Sequence, residues 1–547
     1  MIDSIWKVIN NTKVSDAKAV LKELAKNREI DDIEKFINPP FPADATELNV
    51  KPAVEYIRKA ISDGRAIIIH GDYDADGQTA TAILWRTIYN DLDYKNVHPY
   101  IPNRFDEGYG LSKESIKSIA KTHDGKKNPL IITVDCGITA VEESKFAIDM
   151  GFSVIITDHH EPGGEIPEVD FVVHTTKSTG AGIAWLLSNE LLNEKNGNSK
   201  NKKYLDLAAI GTICDLQPLK GFNRSIAYHG LIEINKNPIE GIKALKELAG
   251  IKNDLDTYEI GWIIGPRLNA TGRLEDAMES LRLLSTDSPQ QAKELATNLN
   301  NINAKRQDKT QLDLKMAMAE FYAIEELPHV LVTTREEYHE GVIGLVAGRL
   351  TQTFYRPSIA ISTEKNSKLA KGSARSIKGI SIIETLRRFE HLFENLGGHD
   401  MAAGFSILES NIDKLKSALN SITDFNQNLF TKELTIDLEL PTSLISNDTL
   451  EEINKLKPFG VENYEPVFLT KNLKIYNLMT FGQENNHLKL FLQDENQNQF
   501  TCLAFGKGKQ SETLKTNDII DVAYSLSVNT WNGNSNLELR IRDFKKN

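Results

Sequence analysis

Three stretches of this sequence place carboxylates or imidazoles directly after a run of apolar, largely β-branched residues. Ala66-Ile67-Ile68-Ile69 leads into His70-Gly71-Asp72-Tyr73-Asp74-Ala75-Asp76-Gly77. Leu130-Ile131-Ile132-Thr133-Val134 leads into Asp135-Cys136-Gly137, and Ser153-Val154-Ile155-Ile156-Thr157 into Asp158-His159-His160. In an open parallel α/β sheet, ligands bind beyond the carboxyl ends of the strands. Three strands would therefore deliver acids and imidazoles to one edge. Ionised carboxylates crowded there oppose one another's charge, and divalent cations remove that conflict. Oxygen and imidazole ligands without thiolate suit Mn²⁺ or Mg²⁺. Two such ions can clamp a phosphate and activate a water. Each stretch alone has a plainer reading, since an Asp after a strand usually caps a helix or makes a turn. Their coincidence at three strand ends is what favours a metal centre.

The elements needed to position these groups are legible in the flanking pattern. The three runs, with Phe171-Val172-Val173 as a fourth, alternate with helical segments such as Val54–Ile61 and Thr79–Ile88. Continuous apolar strands between helices predict a parallel sheet covered on both faces. Residues 276–325 are rich in Ala, Leu, Glu, Lys and Gln and read as long helices connecting domains. A second α/β unit follows, with strands near Val330–Thr333 and Ser358–Ile361. From about residue 433 the pattern changes to period two, in Leu434–Leu440, Leu488–Leu492 and Leu537–Ile541, with Asn532-Gly533 as a hairpin turn. That predicts a small antiparallel β domain, a barrel of the OB kind. The predicted fold class is thus α/β: two α/β domains joined by a long helical connector, then a C-terminal OB-like barrel. The expected limits are a helical segment over 1–45, a catalytic domain over 46–225, the connector over 226–325, the second α/β domain over 326–425 and the barrel over 433–547. Asn193 to Lys203, rich in Asn and Lys, reads as a surface loop.

Composition narrows the function classes. At 547 residues the chain is long for one core, and it divides on length alone into roughly three or four folding units. No apolar run approaches the roughly 18 residues needed to span a bilayer, and the polar N-terminus lacks a secretory signal. The expectation is a cytoplasmic protein with no membrane partner. The three cysteines form no Cys-x-x-Cys pair, which excludes a thiolate zinc site. A net charge of −12 argues against a protein that coats nucleic acid through an overall basic surface. Local basic faces remain: between Val346 and Glu390 nine Lys and Arg stand against three Glu, which fits a phosphate-backbone face. Within that stretch Gly372-Ser373 allows close backbone approach to an oxyanion, as does Gly397-Gly398 beyond it, Arg375 offers a planar fork and His399 a further donor.

Asp158-His159-His160 after a strand, with the upstream His-x-x-x-Asp-x-Asp loop, resembles the DHH phosphoesterase superfamily. Gly211-Thr212-Ile213-Cys214-Asp215-Leu216 resembles its fourth metal motif. Later segments are similar to one branch, the RecJ family of single-strand-specific exonucleases. These are Gly265-Pro266-Arg267-Leu268-Asn269-Ala270-Thr271-Gly272-Arg273-Leu274, the His339–Leu350 run, Gly372–Ser376, Gly397–Gly404, and Lys457-Pro458-Phe459-Gly460 with Glu465–Phe468. Pro102–Gly110, containing Arg104, matches another segment of that family. The resemblance covers nearly the whole chain and identifies the α/β domains as DHH and DHHA1. It departs modestly, with Ala270-Thr271 and Gly348 where other small residues are usual.

The resemblance implies a metal-dependent 5′→3′ exonuclease that hydrolyses single-stranded DNA to 5′-mononucleotides with two divalent cations, in DNA repair and recombination. By it, His70, Asp74 and Asp135 hold one metal, and Asp76, Asp135, His159 and Asp215 the other, with Asp135 bridging. His160 sits at the substrate phosphate, Asp158 orients His159, and Asp72 supports the motif. Arg104, Arg273, Ser373, Arg375 and His399 contact phosphate or DNA. Cys136 and Cys214 read as buried packing residues, and Tyr109 as a core residue or a base-stacking one. Implied partners are single-stranded DNA, single-strand-binding protein and a RecQ-type helicase. The expectation is that the extra C-terminal partner-binding domain of some relatives is absent, which puts contacts to other repair proteins in doubt. The alternative is a DHH phosphodiesterase acting on short oligonucleotides or cyclic dinucleotides, which an extended β domain disfavours.

Overall fold

The computed structural model describes residues 4–104, 106–123, 128–196, 201–363, 367–422, 425–531 and 534–547. Its first element is a strand, β1 (Ile5–Asn10), where a helical segment was expected. Helix begins only at Ala17–Asn27, capped by the Asp16 carboxylate on the Ala19 N–H, and resumes at Ile33–Ile37. The strand runs parallel to a partner far along the chain, Ile5 opposite Glu433 and Asn10 opposite Leu438. A local reading has no access to that pairing.

Contacts divide the chain into two compact units, one comprising Leu48–Asp215 and Glu233–Lys432, the other Ser4–Glu47, Leu216–Ile232 and Glu433–Asn547. The first unit contains two sheets. One is parallel throughout, in the order β3-β2-β4-β5-β6, built from β2 (Ile67–Gly71), β3 (Val97–Tyr100), β4 (Leu130–Val134), β5 (Ser153–Asp158) and β6 (Phe171–His174). Every residue of β2, β4 and β5 is buried, as continuous β-branched runs require of strands covered on both faces. The edge strand β3, Val-His-Pro-Tyr, lacked a readable pattern; proline confines it to an edge. Helices Ala75–Arg86, Gly180–Asn196 and Leu205–Cys214 belong to this domain. Asn193–Asn196, expected in a loop, lengthens the second of these, and residues 197–200 lie outside the described residues.

The second sheet has the order β10-β11-β9-β8-β7, from β7 (Leu331–Arg335), β8 (Ser358–Ser362), β9 (Leu369–Arg375), β10 (Phe393–His399) and β11 (Ala402–Leu408). Only β7 and β8 are parallel; the others pair antiparallel. Helices Thr257–Glu259, Gly265–Leu274 and Met278–Ser285 and the 34-residue helix Pro289–Tyr322 occupy the sequence between the sheets. A π turn, Ile260–Ile264, joins the first two.

The second unit carries β12 (Glu433–Glu439), β13 (Phe468–Phe481), β14 (His487–Gln493), β15 (Gln499–Ala504), β16 (Ile519–Trp531) and β17 (Asn534–Lys546). Pairing of β13 with both β14 and β16 closes β13 to β17 into a five-stranded barrel. Alternate residues of β14, Leu488, Leu490 and Leu492, fill its interior with Phe468, Cys502 and Tyr524. The predicted turn Asn532-Gly533 lies outside the described residues, between the paired β16 and β17. Arg224, itself 2% exposed, donates to the carbonyls of Phe36, Leu456, Lys457 and Pro458. One guanidinium thus ties together all three segments of this unit.

Candidate metal centre and anion cavity

The carboxyl ends of β2, β4 and β5 bring the acids and imidazoles together. After β2, Asp74 caps the Ala75–Arg86 helix, accepting from the Asp76 and Gly77 N–H groups. Asp76 is 1% exposed and is gripped by two backbone donors at the start of the Gly180 helix, Gly180 N at 2.6 Å and Ala181 N at 3.0 Å. Asp135 follows β4 in a left-handed conformation, φ 63°, with its N–H on Thr157 O. A Cβ on Gly180 would lie 2.4 Å from that of Asp135, so glycine is required there. Asp215 closes the Leu205–Cys214 helix.

Among the described residues the ligand atoms fall into three overlapping groups, each within 4.8 Å: Asp72, Asp74 and Asp135; Asp135, His159 and His160; and Asp76, His159 and Asp215. Asp135 and His159 each belong to two groups. The His159 Nε2 lies 3.0 Å from Asp135 Oδ1, 3.7 Å from Asp215 Oδ2 and 3.8 Å from Asp76 Oδ2. Yet Asp135 Oδ1, His159 Nε2 and Asp72 Oδ1 are buried without a hydrogen-bond partner among the described residues. Converging lone pairs with no proton between them are what a cation satisfies.

The electrostatics agree. Burial, reinforced by Asp74, pushes Asp76 up to about 6 and Asp72 well above the carboxylate range. Burial with Asp76, Asp74, Asp72 and Asp215 does the same to Asp135. Burial lowers His159 to about 4, which leaves it a neutral ligand. This donor set fits hard divalent cations.

His70 and Asp72 depart from their expected places. His70 is fully buried, with Nε2 3.2 Å from Ser115 Oγ and Nδ1 3.8 Å from Cys136 Sγ, and none of the three groups includes it. Asp72 joins the acids instead of standing behind them. Asp158, expected to orient His159, holds the His160 ring, its Oδ1 2.7 Å from Nδ1, and gives His159 only a backbone bond. Burial alone would lower His160; the Asp158 hydrogen bond and charge outweigh it and raise it to about 9. Its Nε2 lies 3.1 Å from the Tyr109 hydroxyl, so Tyr109 is neither core nor free. Cys136 is buried beside His70, in keeping with a packing role.

A cavity of about 520 Å³ opens in the same unit, lined by Arg104, Arg273, Lys371, Ser373, Arg375 and glycines 341, 344, 372, 397 and 404, with Glu340 and Asn395 among its other walls. Its floor is a row across the second sheet: Gly397 pairs with Gly404, and Gly404 with Ser373. A Cβ at Gly397 or Gly404 would meet nothing within 4 Å among the described residues. The protein's own packing therefore does not demand this bare backbone. Gly344 makes room for the Arg375 guanidinium, 3.0 Å from where its Cβ would stand, and Arg375 Nη1 donates to Ser373 Oγ at 3.1 Å. Burial and then Arg104 lower Arg375; burial, Arg104, Arg306 and Arg375 lower Arg273 to about 10. Cations held close enough to repel mark an anion site. His399 stands exposed at the end of β10 and does not line this cavity.

One helix joins the two places. In Gly265–Leu274, Asn269 Oδ1 accepts from Ala75 N at 2.7 Å, beside Asp74 and Asp76, and Arg273 reaches the cavity, donating to Gly341 O. The Asn269 contact was missed, for nothing in the sequence distinguishes an Asn that caps a neighbouring helix.

The chain matches the DHH family, N-terminal domain over residues 66–212, the DHHA1 domain over 327–424 and the RecJ OB domain over 436–543. It is 35% identical to the single-stranded-DNA-specific exonuclease RecJ of Bacillus subtilis, over 90% of this chain and 63% of that protein. To RecJ of Thermus thermophilus it is 34% identical, over 91% of this chain and 71% of that one. The chain belongs to the RecJ family. The crystal structure of Thermus thermophilus RecJ in complex with Mn²⁺ matches with a TM-score of 0.84 at 31% identity, over 99% of this chain and 79% of that one. The Mg²⁺ complex of the same protein matches with a TM-score of 0.77 at 29% identity, over 99% and 78%. Expectations of DHH, DHHA1 and OB domains and of Mn²⁺ or Mg²⁺ are met by these RecJ likenesses and by the acids and imidazoles described above. The chain spans a little under two thirds of the Bacillus subtilis RecJ. No described helix is long and apolar enough to cross a membrane.

Proposed function

We propose that this chain hydrolyses single-stranded DNA from the 5′ end, releasing 5′-mononucleotides. The observation that carries the reading is the single helix, Gly265–Leu274, that touches the carboxylate cluster at Asn269 and the arginine-lined cavity at Arg273. A strand whose terminal phosphate rests on the bare floor at Gly397, Gly404 and Ser373 presents its first internal linkages toward the acids. Arg375 and Arg104 grip the terminal phosphate, and Arg273 the segment beyond it.

Asp72, Asp74 and Asp135 would hold one cation and Asp76, Asp135, His159 and Asp215 the other. Bound there, two divalent cations supply Lewis-acid polarisation and a water of lowered pKa. His160, kept protonated by Asp158, donates from Nε2 to a non-bridging oxygen of the scissile phosphate and exchanges its contact with Tyr109 for it. His70 supports the site through Ser115. The barrel holds the strand downstream by stacking and backbone contacts. The family suggests a setting in DNA repair and recombination in the cytoplasm, with single-strand-binding protein and a RecQ-type helicase as partners.

The test is digestion of single strands labelled at either end, with Mn²⁺ or Mg²⁺. Mononucleotides appearing first from the 5′ end, with duplex spared, are expected. Cleavage limited to dinucleotides, or release from the 3′ end, overturns the reading.

A further inference from the structure

We infer that Tyr258 and Trp262 form a base-stacking platform for the substrate strand, at the opposite end of the connecting helix from the phosphate cavity. The inference rests on the single-strand reading above. Both rings are strongly exposed, 59% and 63%, and lie together, centroids 6.5 Å apart and planes 31° from each other. Two large adjacent aromatics left in water are costly unless something covers them. Trp262 sits in the π turn Ile260–Ile264, an irregularity that often marks functional sites.

Their position ties them to the metal centre. The Cys214 thiol, one residue before Asp215, reaches Ile260 O at 3.9 Å. Gly265 approaches that thiol so closely that a Cβ would lie 2.5 Å from the sulfur. The helix then runs on past Asn269 at Ala75 to Arg273 in the cavity. Trp262 and Arg273 are 11 positions apart, roughly 16 Å along a helix axis.

A row of guanidiniums accompanies the same helix. Arg267 is held by Ile263 O at 2.7 Å and Asn300 Oδ1 at 3.2 Å, and no carboxylate pairs with it among the described residues. Arg306 has its Nε buried without a hydrogen-bond partner among the described residues; the charge of Arg267 lowers Arg306, and that of Arg306 lowers Arg273. Arg375, Arg273, Arg306 and Arg267 thus make a positive track from the cavity toward Trp262. A phosphate backbone neutralises such a track, and bases along it meet the aromatic faces. At about 3.4 Å per stacked nucleotide, a strand anchored at Arg273 reaches Trp262 within about five nucleotides, and sooner if stretched. The expected ligand is any base near the third to fifth position, since every base offers a π face.

The experiment uses the full chain, 5′-phosphorylated oligonucleotides of 12 residues, and a series in which one abasic nucleotide is walked from position 2 to position 8. Trp262→Ala raises KM for the intact strand by about 5- to 150-fold with little change in kcat; Trp262→Phe restores most of the loss. One abasic position between 3 and 5 raises the wild-type KM similarly, and Trp262→Ala adds nothing on that strand. Tyr322→Ala, an exposed aromatic far along the Pro289–Tyr322 helix, serves as the control for losing a surface ring. If Trp262→Ala leaves KM unchanged, or if its loss is the same whichever base is missing, the platform is refuted. If the wild type degrades no single strand at all, the functional reading fails instead, and the two failures are distinct.

Discussion

Replacing Gly180 with alanine adds one carbon atom, and the structure says where it goes. The new Cβ would lie 2.4 Å from Asp135 Cβ and 2.8 Å from its Oδ1, where ordinary carbon contacts begin near 3.5 Å. One side must retreat by about 1 Å. Asp135 is fixed by its left-handed backbone and by its N–H on Thr157 O. The helix start is fixed because Gly180 N and Ala181 N hold Asp76. Either movement therefore displaces a carboxylate of the metal centre. A misplacement of that size costs on the order of 100-fold in rate. Stability changes less, because alanine gains up to about 1 kcal/mol of helix propensity against about 1–3 kcal/mol of overpacking. The assay is steady-state hydrolysis of a 5′-phosphorylated single strand at saturating Mn²⁺, with Mn²⁺ affinity measured by titration calorimetry. We expect kcat to fall on the order of 100-fold, with weaker Mn²⁺ binding and a folded protein by circular dichroism. A Gly180→Ala protein that keeps kcat within a factor of about 3 and full Mn²⁺ affinity would refute the assignment of Asp135 and Asp76 to the reaction.

Asp135→Asn should abolish turnover while preserving the fold, since its carboxylate belongs to two of the three ligand groups; normal hydrolysis by the folded variant rules out the shared-ligand arrangement. Arg375→Ala should raise KM about 10- to 100-fold for 5′-phosphorylated strands and leave Mn²⁺ affinity alone; loss of the metal with the 5′-phosphate preference intact would contradict the cavity's role. Mn²⁺ should raise the melting temperature more at pH 7.5 than at pH 5.5. The folded chain holds the Asp76 proton up to about 6 while the unfolded chain releases it near 3.8, so the metal-free fold loses stability as pH rises through that window and the cation restores it. An equal or larger gain at pH 5.5, by differential scanning fluorimetry, counts against this. Arg224→Met should destabilise the barrel-bearing unit by about 3–5 kcal/mol, since the four carbonyls that it joins lose their donor; unchanged denaturant midpoints would show that those carbonyls find other partners.

Strand-end chemistry was legible because a parallel sheet leaves little choice about where its ligands go. The runs before His70, Asp135 and Asp158 became β2, β4 and β5, and five carboxylates and two histidines met where the runs stop. Side-chain direction was not legible. The His70 ring is held at Ser115, a contact that depends on a helix start over forty residues away. The partner of Asp158 depended on which of two adjacent imidazoles the loop turns toward it. The glycines of the cavity could be read as room for an oxyanion, but only the register of β9, β10 and β11 lines Gly397, Gly404 and Ser373 up in one row. His399, chosen for its neighbours in sequence, falls beyond that row. Strand β1 was hidden for a related reason, because its partner lies more than 400 residues along the chain.

That pairing orders events during synthesis. β1 is made before the first unit and β12 after it, with more than 400 residues between them. At about 5–20 residues per second the ribosome takes roughly 20–80 s to cover that distance. Throughout that interval Ile5 and Ile9, which stay largely exposed even in the finished protein, form part of an edge with no neighbour to complete it. The parallel sheet of the first unit, which needs only Ile67 to His174, can form long before. That sheet is thus assembled ahead of the barrel unit, and the first strand of the barrel unit must be kept from pairing with other chains until its last segment is made.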